Sequence, residues 1–220
     1  MSVQQKETIM QNPIFNNLFE HWSALRDGID VPNRSEIDPR VFPDALENTF
    51  IFERISEGDF RTRLAGMNLC DMMGMEVRGQ SAASFMQHAE RSRIENVLEH
   101  ILIRPAIGEL TLTGQDLTGH ELDVNMILLP LRSDMGDINR VIGCISYPQK
   151  SFSAPLRFAI KSQKLTPLSA LGSSSEEIAM GFSEKIEPFR PQGFRAVSQN
   201  QNPIVTPPKS GHLKLVEDGD

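Results

Sequence analysis

The 220-residue sequence has little of what defines several large protein classes. Its two cysteines, Cys70 and Cys144, are too few for the disulfide framework of a small secreted domain. Its first ten residues are polar and contain no apolar signal-peptide core. Its longest central apolar run, Met126 to Leu131, is far too short to span a membrane. These absences predict a cytoplasmic protein.

Positive charge is also scarce. The chain has 22 Lys and Arg residues against 29 Asp and Glu residues, which gives a formal net charge of −7. Nucleic-acid binding depends on clustered cations, so this balance disfavours a nucleic-acid partner. The hydrophobic share of 39% and the charged share of 23% are typical of globular proteins. The composition therefore predicts a folded protein that binds neither nucleic acid nor membrane.

Composition divides the chain into regions. Residues 166–220 contain 18 Pro, Gly and Ser residues among 55 positions and have neither Trp nor Tyr. Such a segment buries too little apolar surface to offset its ordering entropy, so we predict a disordered tail. We also predict a disordered N-terminus over 1–11, one folded domain over 12–150, and either a short helix or a linker over 151–165.

Two amphipathic helices are predicted. Asn12 and Pro13 have the residue types of an N-cap and a first helical position. The helix that they begin has an apolar stripe formed by Ile14, Phe15, Leu18, Phe19, Trp22 and Leu25. Farther along, Ser92 and Glu95 match a capping box, which predicts that the second helix begins there. Its stripe consists of Ile94, Val97, Leu98 and Ile101, and Pro105 ends it.

Alternating and β-branched segments predict five strands. Thr49 to Ile55 and Phe60 to Leu64 flank a turn and form a hairpin. Three further strands, Ile107 to Thr113, Glu121 to Leu128 and Arg140 to Tyr147, follow the second helix. Because the helices are segregated from an antiparallel sheet, the fold class is α+β.

The segment from Gly66 to Gln80, GMNLCDMMGMEVRGQ, resembles the PAS pattern of an Asn after the second strand, an apolar helical turn, a Gly and a second Gly. The segments HWSALR at 21–26, IDP at 37–39 and LAG at 64–66 resemble a family of small stand-alone PAS-like proteins common in alphaproteobacteria. The resemblance covers roughly residues 12–148. It implies a five-stranded antiparallel sheet with one long helix across it, and a sensing or protein-interaction module.

A sheet that curls over one helix leaves a space between the two. The predicted lining of this ligand pocket consists of Leu64, Met67, Leu69, Met72, Met73, Ile94, Val97, Leu98, Ile101, Leu110, Leu112, Leu122, Val124, Met126, Ile142 and Cys144. The alternative is that these side chains fill a dry core. Methionine suits both alternatives because it packs adaptably.

We predict no cofactor, no metal site and no catalytic residue. His100 points away from the apolar stripe of its helix and His88 precedes that helix, so neither is expected to be a haem ligand. Light-sensing PAS relatives bind flavin through a Gly-x-Asn-Cys-Arg-Phe-Leu-Gln segment. Here Cys70 is shifted by one position, and the Arg and Gln are missing. His120, Glu121 and Asp123 lie close in sequence but on a strand start that is expected to be solvated.

These observations predict a non-enzymatic, cytoplasmic signalling protein that acts through protein contacts. The alternative is a sensor or carrier of a small molecule such as haem, flavin or a metabolite. No kinase, cyclase or DNA-binding segment is recognisable, so unidentified signalling proteins are the expected partners. We predict a homodimer whose contact is the first helix, formed by Phe15, Leu18, Phe19, Trp22 and Leu25. The alternative is that this helix covers the open sheet face, and both roles can hold in part.

Overall fold

The computed structural model describes residues 12–28, 30–148 and 151–169. These residues form three α-helices: α1 (Pro13–Ala24), α2 (Met67–Met73) and α3 (Arg91–Ile103). They also form six strands: β1 (Thr49–Ser56), β2 (Asp59–Ala65), β3 (Ala106–Gln115), β4 (Glu121–Arg132), β5 (Ile138–Ser146) and β6 (Arg157–Pro167). Short 3-10 turns occur at Arg34–Glu36, Pro39–Val41, Pro43–Asn48, Ala82–Phe85 and His88–Glu90. The predicted disordered segments lie outside the described residues, apart from residues 166–169 of the tail. The tail prediction is wrong at its start, because Thr166 and Pro167 belong to β6 and Leu168 is buried.

All six strands belong to one sheet in the order β2-β1-β5-β4-β3-β6. Every neighbouring pair in this sheet is antiparallel. One face, here the inner face, packs against α3, and the opposite, outer face packs against α1. The predicted α+β class and antiparallel sheet are confirmed.

The first helix begins where the sequence indicates. The Asn12 side chain accepts a hydrogen bond from the Ile14 amide at 3.0 Å, and Pro13 occupies the first helical position. This arrangement satisfies an amide that would otherwise have no acceptor at the helix start.

The long helix α3 lies across the inner face, as its apolar stripe predicts. Ile94, Val97, Leu98 and Ile101 are all buried in the core between α3 and the sheet. Its predicted start is wrong. The helix begins at Arg91 with Glu90 at the N-cap, and Ser92 lies within the first turn.

The sixth strand corrects two predictions, a five-stranded sheet and a short helix or linker over 151–165. β6 pairs with β3 from Gln115–Arg157 to Ala106–Pro167. Only Phe158 and Ile160 of this strand are fully buried, and Lys161 to Lys164 are exposed. Backbone pairing at a sheet edge, rather than an apolar pattern, therefore defines the strand.

No helix within the described residues has both the length and the apolar character needed to cross a membrane.

Candidate functional site

The inner cavity between α3 and the sheet is the predicted ligand pocket, and it is almost filled. Its volume is about 10 Å³. A single water molecule needs roughly 10–15 Å³ by the same kind of measure. The cavity is lined by Phe50, Phe52, Leu69, Ala82, Phe85, Met86, Ile94, Met126 and Phe158.

Aromatic rings fill most of this space. The ring centroids of Phe50 and Phe52 are 4.6 Å apart, and those of Phe52 and Phe85 are 6.1 Å apart. Gly143 on β5 admits the Phe50 ring, because a Cβ at residue 143 would lie only 2.2 Å from the ring. The close approach is therefore possible only with glycine at this position.

Most of the predicted lining residues are brought together in this core. Leu69, Ile94 and Met126 line the cavity itself. The surrounding buried cluster contains Met72, Met73, Val97, Leu98, Ile101, Leu110, Leu112, Leu122 and Val124. Whether this core binds a ligand stays a prediction.

Leu64 and Met67 do not line the cavity. In β2, Leu64 pairs with Ile51 and Thr62 pairs with Phe52, so Arg63 is an extra residue that forms a β-bulge. After the bulge, the side chains of β2 point to the opposite faces from those that a regular strand would give. Leu64 therefore lies on the outer face, with 44% of its surface exposed. Met67 is 67% exposed because it lies on the solvent side of α2, opposite Leu69 and Met72.

Ile142 and Cys144 are also misplaced in the prediction. Both are buried on the outer face under α1, whereas Val141 and Ile145 lie on the inner face. β5 is apolar on both faces, so alternation in the sequence could not assign them. Burial raises the pKa of the Cys144 thiol to about 12, so the thiol stays protonated.

Six of the nine lining residues were not predicted from the sequence. Phe50 and Phe52 alternate around Ile51 in β1, and this period-two signal could have identified them. Phe158 was missed together with β6. Ala82, Phe85 and Met86 lie in and beside a short 3-10 turn whose sequence has no clear periodicity.

The predicted dimer contact on α1 needs correction at three residues. Phe15, Leu18 and Trp22 are fully buried against the outer face within the chain itself. The Trp22 Nε1 also donates a hydrogen bond to the Pro130 carbonyl oxygen at 2.9 Å. Phe19 and Leu25 are only partly buried. α1 therefore covers the open sheet face, and a dimer contact through Phe19 and Leu25 stays a prediction.

The polar candidates lie away from the inner cavity. His88 and His100 are exposed. His120, Glu121 and Asp123 are exposed as well, and Asp123 accepts a hydrogen bond from Lys161 Nζ at 2.6 Å. Within the described residues, no three His, Cys, Asp or Glu side chains come together as potential metal ligands.

A second concave site, here called the arginine groove, opens on the outer face near the β2 edge. Its volume is about 690 Å³. The apolar part of its wall comes from Leu64 and the edge of Ile51. The charged residues of the groove are Arg34, Arg63, Arg78, Arg140, Glu53 and Asp134.

Glu53 on β1 connects two of the groove arginines. The Arg63 Nε donates to Glu53 Oε2, and an Arg140 terminal nitrogen donates to Glu53 Oε1 at 3.5 Å. The bulge at Arg63 places this side chain beside Glu53 on the outer face. The Arg140 Nε is buried and has no hydrogen-bond partner among the described residues.

A family profile described as PAS domain matches residues 10–146, and this chain belongs to that family. PAS domains are typically signalling and sensory modules. No curated protein matches the chain.

Solved structures with a similar fold include light-oxygen-voltage (LOV) domains. The light-state structure of the Aureochrome1 LOV domain is 14% identical, with a TM-score of 0.38, over 49% of this chain and 85% of that chain. A cysteine-to-serine mutant of Vivid is also 14% identical, with a TM-score of 0.40, over 61% of this chain and 99% of that chain.

Proposed function

We propose that this PAS protein acts in signalling through contacts with other proteins, without a large cofactor between α3 and the sheet. The inner cavity of about 10 Å³ supports this proposal most directly. Sites for drug-sized ligands have volumes of roughly 300–1,000 Å³. A flavin or haem would therefore require several buried aromatic side chains to leave the core.

The packing around the cavity opposes such an opening. Phe52 contacts both Phe50 and Phe85, and Phe50 is also held against Gly143. Displacing a large core side chain costs several kcal/mol, because a close-packed interior relaxes only partly. A ligand would have to supply that free energy by binding the opened state more tightly.

The protein is proposed to be non-enzymatic. General acid–base catalysis requires a titratable group within reach of a substrate in a sheltered site. The inner cavity is lined only by apolar side chains, and His120, Glu121 and Asp123 are at the surface. A cytoplasmic location and signalling-protein partners remain proposals from the sequence.

Native mass spectrometry and a visible absorption spectrum of the gently purified full chain test the proposal. We expect the mass of the polypeptide alone, no visible absorption band, and no thermal shift with a panel of metabolites. A bound flavin, haem or metabolite lost on substitution of Phe52 or Phe85 would overturn the proposal in favour of the sensor alternative.

The second part of the experiment concerns the partner. Full-length protein is used to capture interacting proteins from its native cells, and each candidate is then purified and mixed with it. We expect a complex of two purified components in sedimentation velocity. If no candidate forms a complex while a metabolite stabilises the protein, the proposed function is wrong.

A further inference from the structure

We propose that the arginine groove binds an acidic segment of a partner protein, with carboxylates beside an apolar side chain. This inference rests on the proposed function, because it assigns the surface through which protein contacts are made. Four arginines and two acidic residues line the groove, so two positive charges are in excess. The whole chain, in contrast, has a net charge of −7.

The groove already contains an arginine–carboxylate arrangement. Arg63 and Arg140 both contact the Glu53 carboxylate, which shows that guanidinium groups here are presented in a geometry that suits carboxylates. Glu53 is largely buried, with 16% of its side chain exposed. It therefore holds Arg63 and Arg140 in place beneath the opening.

Two groove arginines are free to receive a ligand. Among the described residues, neither the Arg34 side chain nor the Arg78 side chain has an ion-pair or hydrogen-bond partner. Arg34 lies in the 3-10 turn after α1, and Arg78 lies in the loop after α2, so they approach the groove from separate segments. Arg recognises carboxylates through paired N–H donors, and clusters of Arg are a common means of reading acidic motifs.

The remaining features favour a peptide over a polyanion. Leu64 is 44% exposed within the groove and offers an apolar contact that a phosphate backbone would not use. Glu53 and Asp134 leave only two positive charges in excess, which suits a segment with a few separated carboxylates better than a polyanion with a charge on every nucleotide. An acidic peptide with a leucine-like side chain matches both the charge and the apolar wall.

A fluorescence anisotropy titration of the full chain tests this inference. The probe is a fluorescein-labelled peptide of alternating acidic and leucine residues, and the matched peptide has Asn and Gln in place of Asp and Glu. We expect saturable binding of the acidic peptide that weakens as salt is raised, because the interaction involves exposed charges. The neutral peptide is expected not to bind.

Matched charge variants locate the binding surface. Arg34→Gln with Arg78→Gln removes two groove charges, and Arg91→Gln with Arg104→Gln removes two exposed charges at the two ends of α3. We expect about tenfold weaker binding, or more, for the groove pair, because two charge-assisted contacts with peptide carboxylates are lost. The α3 pair should change affinity by at most about twofold. Leu64→Glu, which adds a repelling carboxylate to the groove, should also weaken binding.

Several results would overturn the inference. The two double variants could weaken peptide binding equally, or neither could affect it. The neutral peptide could also bind as tightly as the acidic peptide. Binding of a labelled single-stranded oligonucleotide with the same arginine dependence, without binding of the acidic peptide, would replace it with a nucleic-acid site. The protein could also fail to bind the acidic peptide while it is free of cofactor and still forms a complex with a partner. That result would show that the groove is not the binding surface, and the proposed function would stand.

Discussion

The indole Nε1 of Trp22 donates a hydrogen bond to the carbonyl oxygen of Pro130, 2.9 Å away, and so joins α1 to β4. Pro130 lies on β4 beyond its pairing with β3, where the strand has only β5 as a neighbour. A proline lacks a backbone N–H. It is tolerated there because β4 has no second neighbouring strand that would need this hydrogen bond. The bond therefore connects α1 to the end of β4 that is not paired with β3.

Trp22→Phe should lower the free energy of unfolding by about 1–3 kcal/mol, because the buried Pro130 carbonyl loses a donor. Urea denaturation monitored by far-ultraviolet circular dichroism measures the change. Phe19→Leu on the same helix is the control, since Phe19 is only partly buried, and it should have a much smaller effect. Equal stability of Trp22→Phe and the wild type would show that α1 is not held by this contact.

Self-association should depend on the outer side of α1, if the predicted homodimer forms through this helix. Phe19→Ala removes an apolar side chain that is only partly buried in the chain, so the fold should be retained while dimerisation weakens. Sedimentation velocity over a concentration series measures the monomer–dimer equilibrium. Leu117→Ala, at a loop residue that is 76% exposed, is the control. A monomeric wild type, or a dimer unchanged in Phe19→Ala, would contradict the predicted contact.

Helix α3 and the β1–β2 hairpin were predictable because their sequence signals are local and periodic. The stripe through Ile94 and Ile101 requires a buried face on a helix, and the turn between β1 and β2 brings the two strands together. For α1, the same apolar stripe is compatible with covering a sheet or contacting a second molecule. The position of Trp22 against β4 shows that α1 covers the sheet, and contact with a second molecule through its outer side stays a prediction.

The candidate site was less predictable, because its errors come from nonlocal or irregular features. The face of Leu64 depends on one extra residue in β2, which a regular alternation cannot reveal. The assignment of Cys144 failed because β5 is covered on both faces. Phe158 enters the cavity from an edge strand whose own sequence is mostly polar.

Stability should fall at acidic pH partly through Asp116. Its carboxylate accepts hydrogen bonds from the Thr118 hydroxyl and from the backbone amides of Thr118, His120 and Ser153. The Thr118 hydroxyl, followed by the amides, lowers the pKa of Asp116 to about 2. An unfolded Asp has a pKa of about 3.9, so the contribution is complete above that pH and is lost as the pH falls towards 2.

Asp116→Asn should therefore reduce the dependence of unfolding free energy on pH between about 4 and 2. Urea denaturation at a series of pH values measures this slope. Asp137→Asn, at an exposed residue of the β4–β5 turn, serves as the control. An unchanged slope in Asp116→Asn would show that the loop bonds do not hold the charged carboxylate.

The two thiols should differ in reactivity. Cys144 is buried with its pKa raised to about 12 by that burial, whereas Cys70 on α2 is only partly buried. Because the thiolate is the reactive form, native protein at mildly alkaline pH should take up iodoacetamide at Cys70 and not at Cys144. Intact-mass spectrometry counts the labels, and Cys70→Ser is the control that isolates Cys144. Labelling of Cys144 at the same rate in native and urea-unfolded Cys70→Ser would contradict its burial.

Both edges of the open sheet have the same kind of irregularity. The register places one unpaired residue in each edge strand, and it is a basic residue in both: Arg63 in β2 and Lys161 in β6. Distorted edge strands with cationic side chains are poor templates for an added strand. The arrangement disfavours end-to-end pairing of sheets, so the proposed partner would be recognised by side chains instead of by backbone pairing.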